Sequence, residues 1–160
     1  VAAPVFFQET EAQFLRELNR RKVRYLMVGL SAANLQGAAV VTMDIDLWFE
    51  DLSHLGIQRA LRTVGGFYVA PTAFTPPQIG GAQLALFDLV LTAHGLDSFG
   101  QEYRRAKWVN IGGVRVKVLP LERIIVSKRA ADRPKDRLVL PVLEDALVTL
   151  VTRRQLRRKN

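Results

Sequence analysis

The chain of 160 residues contains no cysteine. That absence excludes a disulfide scaffold, a thiolate zinc site and a cysteine nucleophile. Histidine is almost as scarce: His54 and His94 are the only two, so a site of several imidazole ligands is excluded as well. Any metal must be held by carboxylates, a donor set that suits Mg²⁺ or Mn²⁺. No segment approaches the roughly 18 apolar residues of a membrane span. The apolar opening Val1–Phe7 is short and has no basic stretch ahead of it, so it makes a poor signal peptide. The expectation is a cytoplasmic protein without a membrane. The 11 glycines and 7 prolines show no period, which rules out a collagenous chain. What is present is 49% hydrophobic and 24% charged residues, the composition of a globular domain able to bury a core without staples. A single domain over residues 1–160 is expected, because no linker or internal repeat divides the chain.

Acidic residues are the minority charge, 15 against 23 Lys and Arg, for a net charge of +8. The imbalance lies wholly in one part of the chain. Residues 1–100 are slightly acidic, whereas residues 101–160 hold most of the cations, ending in a basic tail over 153–160 with Arg153, Arg154, Arg157, Arg158 and Lys159. A basic half joined to a weakly acidic half suits a polyanionic partner such as a nucleotide, tRNA or DNA, or else a merely solubilising tail.

Apolar residues at helical spacing, with acids early and bases late, predict a first helix over Gln8–Arg21. Arg24–Val28 reads as a buried strand stopped by Gly29, after which Ser31 caps a short helix over Ala32–Gln36. Asp44–Phe49 reads as a second strand, and Ser53 opens a helix to about Val64. Phe67–Val69 suits a short edge strand, Pro71–Gly81 a loop, and Gln83–Leu91 a long apolar strand. Gly112-Gly113 between Trp108–Ile111 and Val114–Leu119 signals a hairpin. Helices are expected over Leu121–Ala131 and from about Pro141 to Leu156. This order implies an α/β or α+β domain, a mixed sheet with helices packed on it.

The candidate chemistry lies in the strands. Alternation puts Asp44 and Asp46 on one face, with Ile45, Leu47 and Phe49 on the other. Carboxylates at i and i+2, roughly 6–7 Å apart, repel unless a cation lies between them or water surrounds both. Asp88 sits inside Leu84–Leu91 among seven apolar residues. Burying a lone carboxylate costs several kcal/mol, roughly, so Asp88 must be paired, metal-bound or exposed. On a neighbouring strand it would complete a set of three acids for one or two divalent ions, the layout of phosphoryl and nucleotidyl transfer. Gly29-Leu30-Ser31 joins a strand to a helix start, where free N–H groups and the Ser31 hydroxyl can meet phosphate. The P-loop pattern is absent.

Val28-Gly29-Leu30-Ser31-Ala32-Ala33-Asn34-Leu35-Gln36-Gly37, then Thr42-Met43-Asp44-Ile45-Asp46-Leu47-Trp48, resembles the nucleotidyltransferase superfamily of DNA polymerase beta. That superfamily has a G-[GS] turn, a D-x-D strand and a third acid on a later strand. Ser127-Lys128 followed by Arg133-Pro134-Lys135-Asp136 is most similar to the branch of AbiEii-type toxins and related bacterial nucleotidyltransferases. The resemblance spans about Val23 to Asp136. It implies a nucleotidyltransferase-like mixed β-sheet with flanking helices, and metal binding and catalysis at Asp44, Asp46 and Asp88. It also implies nucleotide contacts at Gly29, Ser31 and Lys128, with Arg133 and Lys135 close by. Leu30 stands where the family has Gly or Ser, Gln36 where the branch has His, and Val40 where it has Arg.

The expected function is transfer of a nucleoside monophosphate from an NTP, with ATP the expected nucleotide, to an RNA, protein or small-molecule acceptor. The resemblance adds an antitoxin protein as a partner and a homodimer that completes the acceptor site. The alternative is a nucleotidyltransferase-fold module, weak or inactive in catalysis, that binds nucleic acid or a partner protein through its basic half. His54, His94, Trp48 and Trp108 are read as packing or surface residues.

Overall fold

The computed structural model describes residues 7–159. The first six residues of the apolar opening, and Asn160 at the end of the basic run, lie outside them. Helix α1 spans Glu9–Arg20. Its apolar positions Phe14, Leu15 and Leu18 fall on one face and are fully buried. Strand β1, Tyr25–Val28, is buried along its whole length. It is the middle strand of a five-stranded sheet, which explains why it reads as an unbroken apolar run.

The sheet has the order β5-β2-β1-β7-β6. Strand β2, Ile45–Phe49, runs antiparallel to β1, and β5, Phe87–Leu89, runs parallel to β2. Strands β6, Lys107–Ile111, and β7, Val114–Val118, form the hairpin, with β7 parallel to β1. Gly112 and Gly113 both have positive φ, 57° and 83°, as a two-residue turn of the primed type requires. One sheet face carries Ile45, Leu47, Phe49, Val116 and Val118, all buried. Helix α1 and helix α3, Leu55–Thr63, contribute Phe14, Leu15, Leu18, Ile57 and Leu61 to the same core. The opposite face carries the polar residues.

Several boundaries differ from the sequence expectation. Helix α2 spans Gly29–Leu35 with Val28 at its N-cap, so Ser31 is not the cap but lies inside the first turn. His54, not Ser53, caps α3: its Nδ1 accepts a hydrogen bond from the Gly56 N–H at 3.0 Å. Ser53 is occupied by Asp51, whose carboxylate accepts from both its N–H and its hydroxyl. The stretch Pro71–Gly81 is not all loop, since Gln78–Gly80 forms β4, paired antiparallel with β3, Phe67–Val69, in a separate two-stranded sheet. The long strand over Gln83–Leu91 shrinks to β5. Gly81, at φ +127°, turns the chain into a 3-10 turn over Ala82–Leu84, and Leu84 plugs the core. Helix α4, Phe99–Arg105, has no counterpart in the expectation. Helix α5, Leu121–Ala131, ends on Asp132 in the left-handed region, φ 48°. Helix α6, Pro134–Lys159, starts at Pro134 and passes through Pro141 instead of starting there. A proline at the first helical position costs nothing, because that N–H has no partner in any helix. The basic run 153–159 forms the exposed last turns of α6. Among the described residues no helix is long and apolar enough to cross a membrane.

Candidate active site

Strands β2 and β5 are parallel neighbours with Asp46 directly opposite Asp88. Val28 lies opposite Asp46 on the other side, so the end of β1, the start of β2 and β5 present one polar edge. Asp44 precedes β2 by one residue and is exposed. All three acids line a single cavity of about 430 Å³. Gly29 and Leu30 of α2, Lys128 of α5, and Arg133, Lys135 and Asp136 around the start of α6 line it too.

The sequence puzzle of Asp88 resolves by position. The strand is an edge strand and Asp88 faces outward, with Phe87 buried beside it. Among the described residues, no ion pair explains this acid in an apolar run. Among the described residues, none of the carboxylates of Asp44, Asp46 and Asp88 has an ion pair, and only their electrostatic neighbours act on them. Burial first, then Asp88, push the Asp46 carboxyl above its ordinary range, with Asp44 adding to the rise and Lys128 and Lys135 opposing it. Burial and then Asp44 raise Asp88 in the same way. Raised carboxyl pKa values mark acids taken partly out of water, with like charges near enough to add to the rise.

The turn at Gly29 is built around Asp46. Gly29 has φ +66°, and a Cβ there would lie 2.1 Å from Asp46 Oδ2. No other residue fits: the backbone conformation disfavours a side chain, and the carboxylate already fills its place. Ser31 lies elsewhere than the sequence reading put it. It is fully buried, and its hydroxyl donates to the Val28 carbonyl at 3.2 Å, so its hydroxyl is not offered to the cavity. Leu30 is half-buried, packs against the core and lines the cavity.

Across from the acids stands a cationic cluster. Asp136 is buried and receives Lys128 Nζ at 3.0 Å and Arg133 Nε at 2.6 Å. Though burial works against it, these hydrogen bonds hold its carboxyl down at about 2. Asp136 also accepts from the Arg133 N–H at 3.2 Å, tying down the start of α6. Gln36 links the two halves of the site. Its Nε2 donates to the Ala32 and Leu119 carbonyls, and its Oε1 accepts from the Leu121 N–H, each at 2.9 Å. The short helix that starts at Gly29 is thereby clamped to α5, which bears Lys128.

Trp48, read as packing, stacks edge-on against Phe99 and also lines the cavity, as does His94. His94 gives no signal in the sequence, because it sits in a loop with no acid or serine at a telling spacing. A divalent ion is the group the acids imply. Three carboxylates without ion-pair partners, two of them with raised pKa values, are the hard oxygen donors that Mg²⁺ or Mn²⁺ takes. Among the described residues, no three His, Cys, Asp or Glu are gathered as a ready-made cage. The acids thus match a divalent ion in donor type alone, and they are spread along the cavity wall.

No protein-family model and no curated protein matches the chain. Solved structures do. The crystal structure of ANT(2″)-Ia in complex with adenylyl-2″-tobramycin matches over 89% of this chain and 94% of that one, at TM-score 0.56 and 17% identity. The solution structure of the antibiotic-resistance factor ANT(2″)-Ia matches over 94% and 91%, at TM-score 0.57 and 15% identity. The chain therefore has a nucleotidyltransferase-like fold, a mixed central sheet with flanking helices, as the resemblance implied.

Proposed function

We propose that this protein transfers a nucleoside monophosphate from an NTP to an acceptor hydroxyl, with Asp44, Asp46 and Asp88 as its catalytic acids. One observation carries the reading. Three acids without ion-pair partners and a facing set of cations, Lys128, Arg133 and Lys135, line one cavity beside a glycine that only a carboxylate overlies. Opposed charges across one cavity suit a substrate that is both polyanionic and metal-loaded.

In this reading the acceptor oxygen bonds to the α-phosphorus of the NTP. The bond from that phosphorus to the bridging oxygen breaks, and pyrophosphate leaves. Asp88, exposed and raised in pKa, takes the proton from the acceptor hydroxyl. Lys128 and Lys135 balance charge on the departing phosphates. Asp136 positions Lys128 and Arg133 rather than touching substrate. Gly29 lets the backbone come close, and Ser31, fully buried with its hydroxyl donated to the Val28 carbonyl, braces that turn from behind. Mg²⁺ or Mn²⁺ held by Asp44, Asp46 and Asp88 would supply Lewis-acid neutralisation of the phosphate charge.

ATP is the nucleotide we assign, in keeping with the adenylyl group named for the similar structure. That structure carries its adenylyl group on an antibiotic, and a small-molecule acceptor belongs to the same reading as an RNA or protein hydroxyl. The kinship to AbiEii-type toxins, an antitoxin partner, a homodimer and a cytoplasmic setting also belong to this proposal. The test is incubation with each α-labelled NTP, Mg²⁺ or Mn²⁺ and total cell extract, for wild type and Asp46→Asn. Label on one class of molecule with wild type alone is the expected result. No label with any of the four NTPs and either metal would overturn it.

Leu30 favours a second reading, a binding module without catalysis, because it lines the cavity where the family has Gly or Ser. The affinity of wild type, Leu30→Gly and Leu30→Ser for MgNTP separates the two. A gain of tenfold or more, about 1.4 kcal/mol, would show that Leu30 obstructs the site and would favour the module. Unchanged, measurable affinity favours the enzyme.

A further inference from the structure

The polar sheet face continues past the acids into a different chemistry. Strand registers fix which side chains share it. Leu26 is opposite Trp48, Val28 opposite Asp46, and Trp108 opposite Lys117. Met27 is opposite Val118 on the buried face, so Lys117 and Arg115 of β7 lie on the same open face as Trp48 and Asp46. Helix α4 lays two rings across it. Phe99 meets Trp48 edge-on at 5.2 Å and stacks with Tyr103 at 5.5 Å. Lys117 Nζ stands 3.5 Å from the Tyr103 ring centroid and 5.5 Å from that of Trp108. Arg115 lies over Trp108 at 4.7 Å, and Arg24 over Tyr103 at 4.2 Å. A row of alternating rings and cations thus runs from Trp48, which lines the acid cavity, to Trp108, which is 46% exposed on the edge hairpin.

The row is short of negative charge. Among the described residues Arg24 has an ion-pair partner, Glu50 at 2.7 Å, whereas Lys117 and Arg115 have none. Lys117 and Arg24 crowd the same ring, and burial together with Arg24 lowers the Lys117 ammonium pKa. Phosphate beside Lys117 would relieve that repulsion. The exposed ring of Trp108, the half-buried rings of Tyr103 and Trp48, and the interleaved cations Lys117 and Arg115 match the repeat of an unstacked strand, whose bases offer flat faces and whose phosphates offer charge. A duplex hides its base faces and would leave Trp108 unused.

We propose that this row, from Trp48 through Tyr103, Lys117 and Arg115 to Trp108, binds single-stranded nucleic acid and leads its end to the acid cavity. The second half of that statement, which makes the strand the acceptor, rests on the nucleotidyltransferase reading; strand binding itself does not.

The test uses the full chain in EDTA without NTP, so that binding is read apart from transfer. A labelled 12-nucleotide single strand, its duplex and polyglutamate are compared by anisotropy and by quenching of tryptophan fluorescence, to which Trp48 and Trp108 are the only contributors. The single strand should bind tightest and quench. Trp108→Ala should weaken it about tenfold, and Trp108→Phe should restore most of the loss. Arg115→Gln with Lys117→Gln should flatten the dependence of log affinity on log salt by about 1.4, near 0.7 for each phosphate that is no longer neutralised. Should Trp108→Ala fail to fold, the Arg115/Lys117 pair carries the test. Equal binding of duplex or polyglutamate, or a salt slope unmoved by the double variant, would overturn the proposal. Strand binding without any NMP transfer would sink the catalytic reading alone, and transfer without strand binding would sink this one alone.

Discussion

The two ends of the open sheet face hold opposite unsolved charge problems. At the β2–β5 end, three carboxylates with no ion-pair partner among the described residues line one cavity, and burial first, then the neighbouring acids, raises the pKa of two of them. At the β6–β7 end, cations crowd over aromatic rings, and Lys117 resists protonation. Elsewhere in the chain comparable charges are matched. Glu102 is buried yet receives Arg123 and Arg105, and Asp136 is buried yet receives Lys128 and Arg133. Buried Glu102 and Asp136 are thus each matched by two cations, whereas half-buried Asp46 and exposed Asp44 and Asp88 have no ion-pair partner among the described residues. The acid end calls for cations, and the hairpin end calls for phosphates. In the reading proposed above, an NTP–metal complex and a strand acceptor would meet both needs on one surface.

The comparison can be broken most severely at the acid end. Asp44→Asn or Asp46→Asn should lower NMP transfer by roughly 10²–10³-fold or more, the loss usual when a charge stabiliser of a transition state is removed. Initial rates of pyrophosphate release check this, and a loss under tenfold would remove the acids from the chemistry. Gly29→Ala comes next. The new Cβ would take up the left-handed conformation at a cost of roughly 1–2 kcal/mol and would displace Asp46 Oδ2, which lies 2.1 Å away. Melting temperature and NTP affinity should both fall.

Asp136→Asn tests a matched charge. Its folded pKa, about 2, lies below the ordinary 3.8. The stability it gives is therefore full above 3.8 and is lost as pH falls towards 2. The variant should lose about 2 kcal/mol at neutral pH and show a flatter stability profile below pH 4. Asp88→Asn should have the smallest effect on stability and the opposite sign. A raised folded pKa means that the charged carboxylate weakens the fold as pH rises through that value. Removing the charge in metal-free protein should leave stability within about 0.5 kcal/mol or raise it slightly, while transfer is lost. A large drop in melting temperature would mean that Asp88 serves the fold instead.

The acid site is more legible in the sequence than the rest of the fold. Asp44-Ile45-Asp46 and the isolated Asp88 stand out because charge in a β-pattern needs a reason, and Gly112-Gly113 marks the hairpin because two positive φ values need glycine. What escapes is set by packing. Gln83–Leu91 looks like one apolar strand, but Leu84 is drawn into the core through a 3-10 turn and leaves three residues to pair. Helix α4 escapes although Ser98 and Gln101 form a capping box, because its seven residues are mostly polar. The ring–cation row is invisible for a related reason, since it joins α4 to three strands and no stretch of sequence contains it. Ser31 misleads because a hydroxyl in a first turn can face the backbone behind it as readily as a ligand ahead.

The central claim is that the acid cavity binds a metal–NTP complex. Thermal unfolding with and without each NTP and Mg²⁺ measures it most directly. At a ligand concentration 100-fold above Kd, the melting temperature of the wild type should rise by about 5–10 °C with MgATP. That rise should vanish in EDTA and in Asp46→Asn. A melting temperature that no NTP moves, with metal present, would contradict the account.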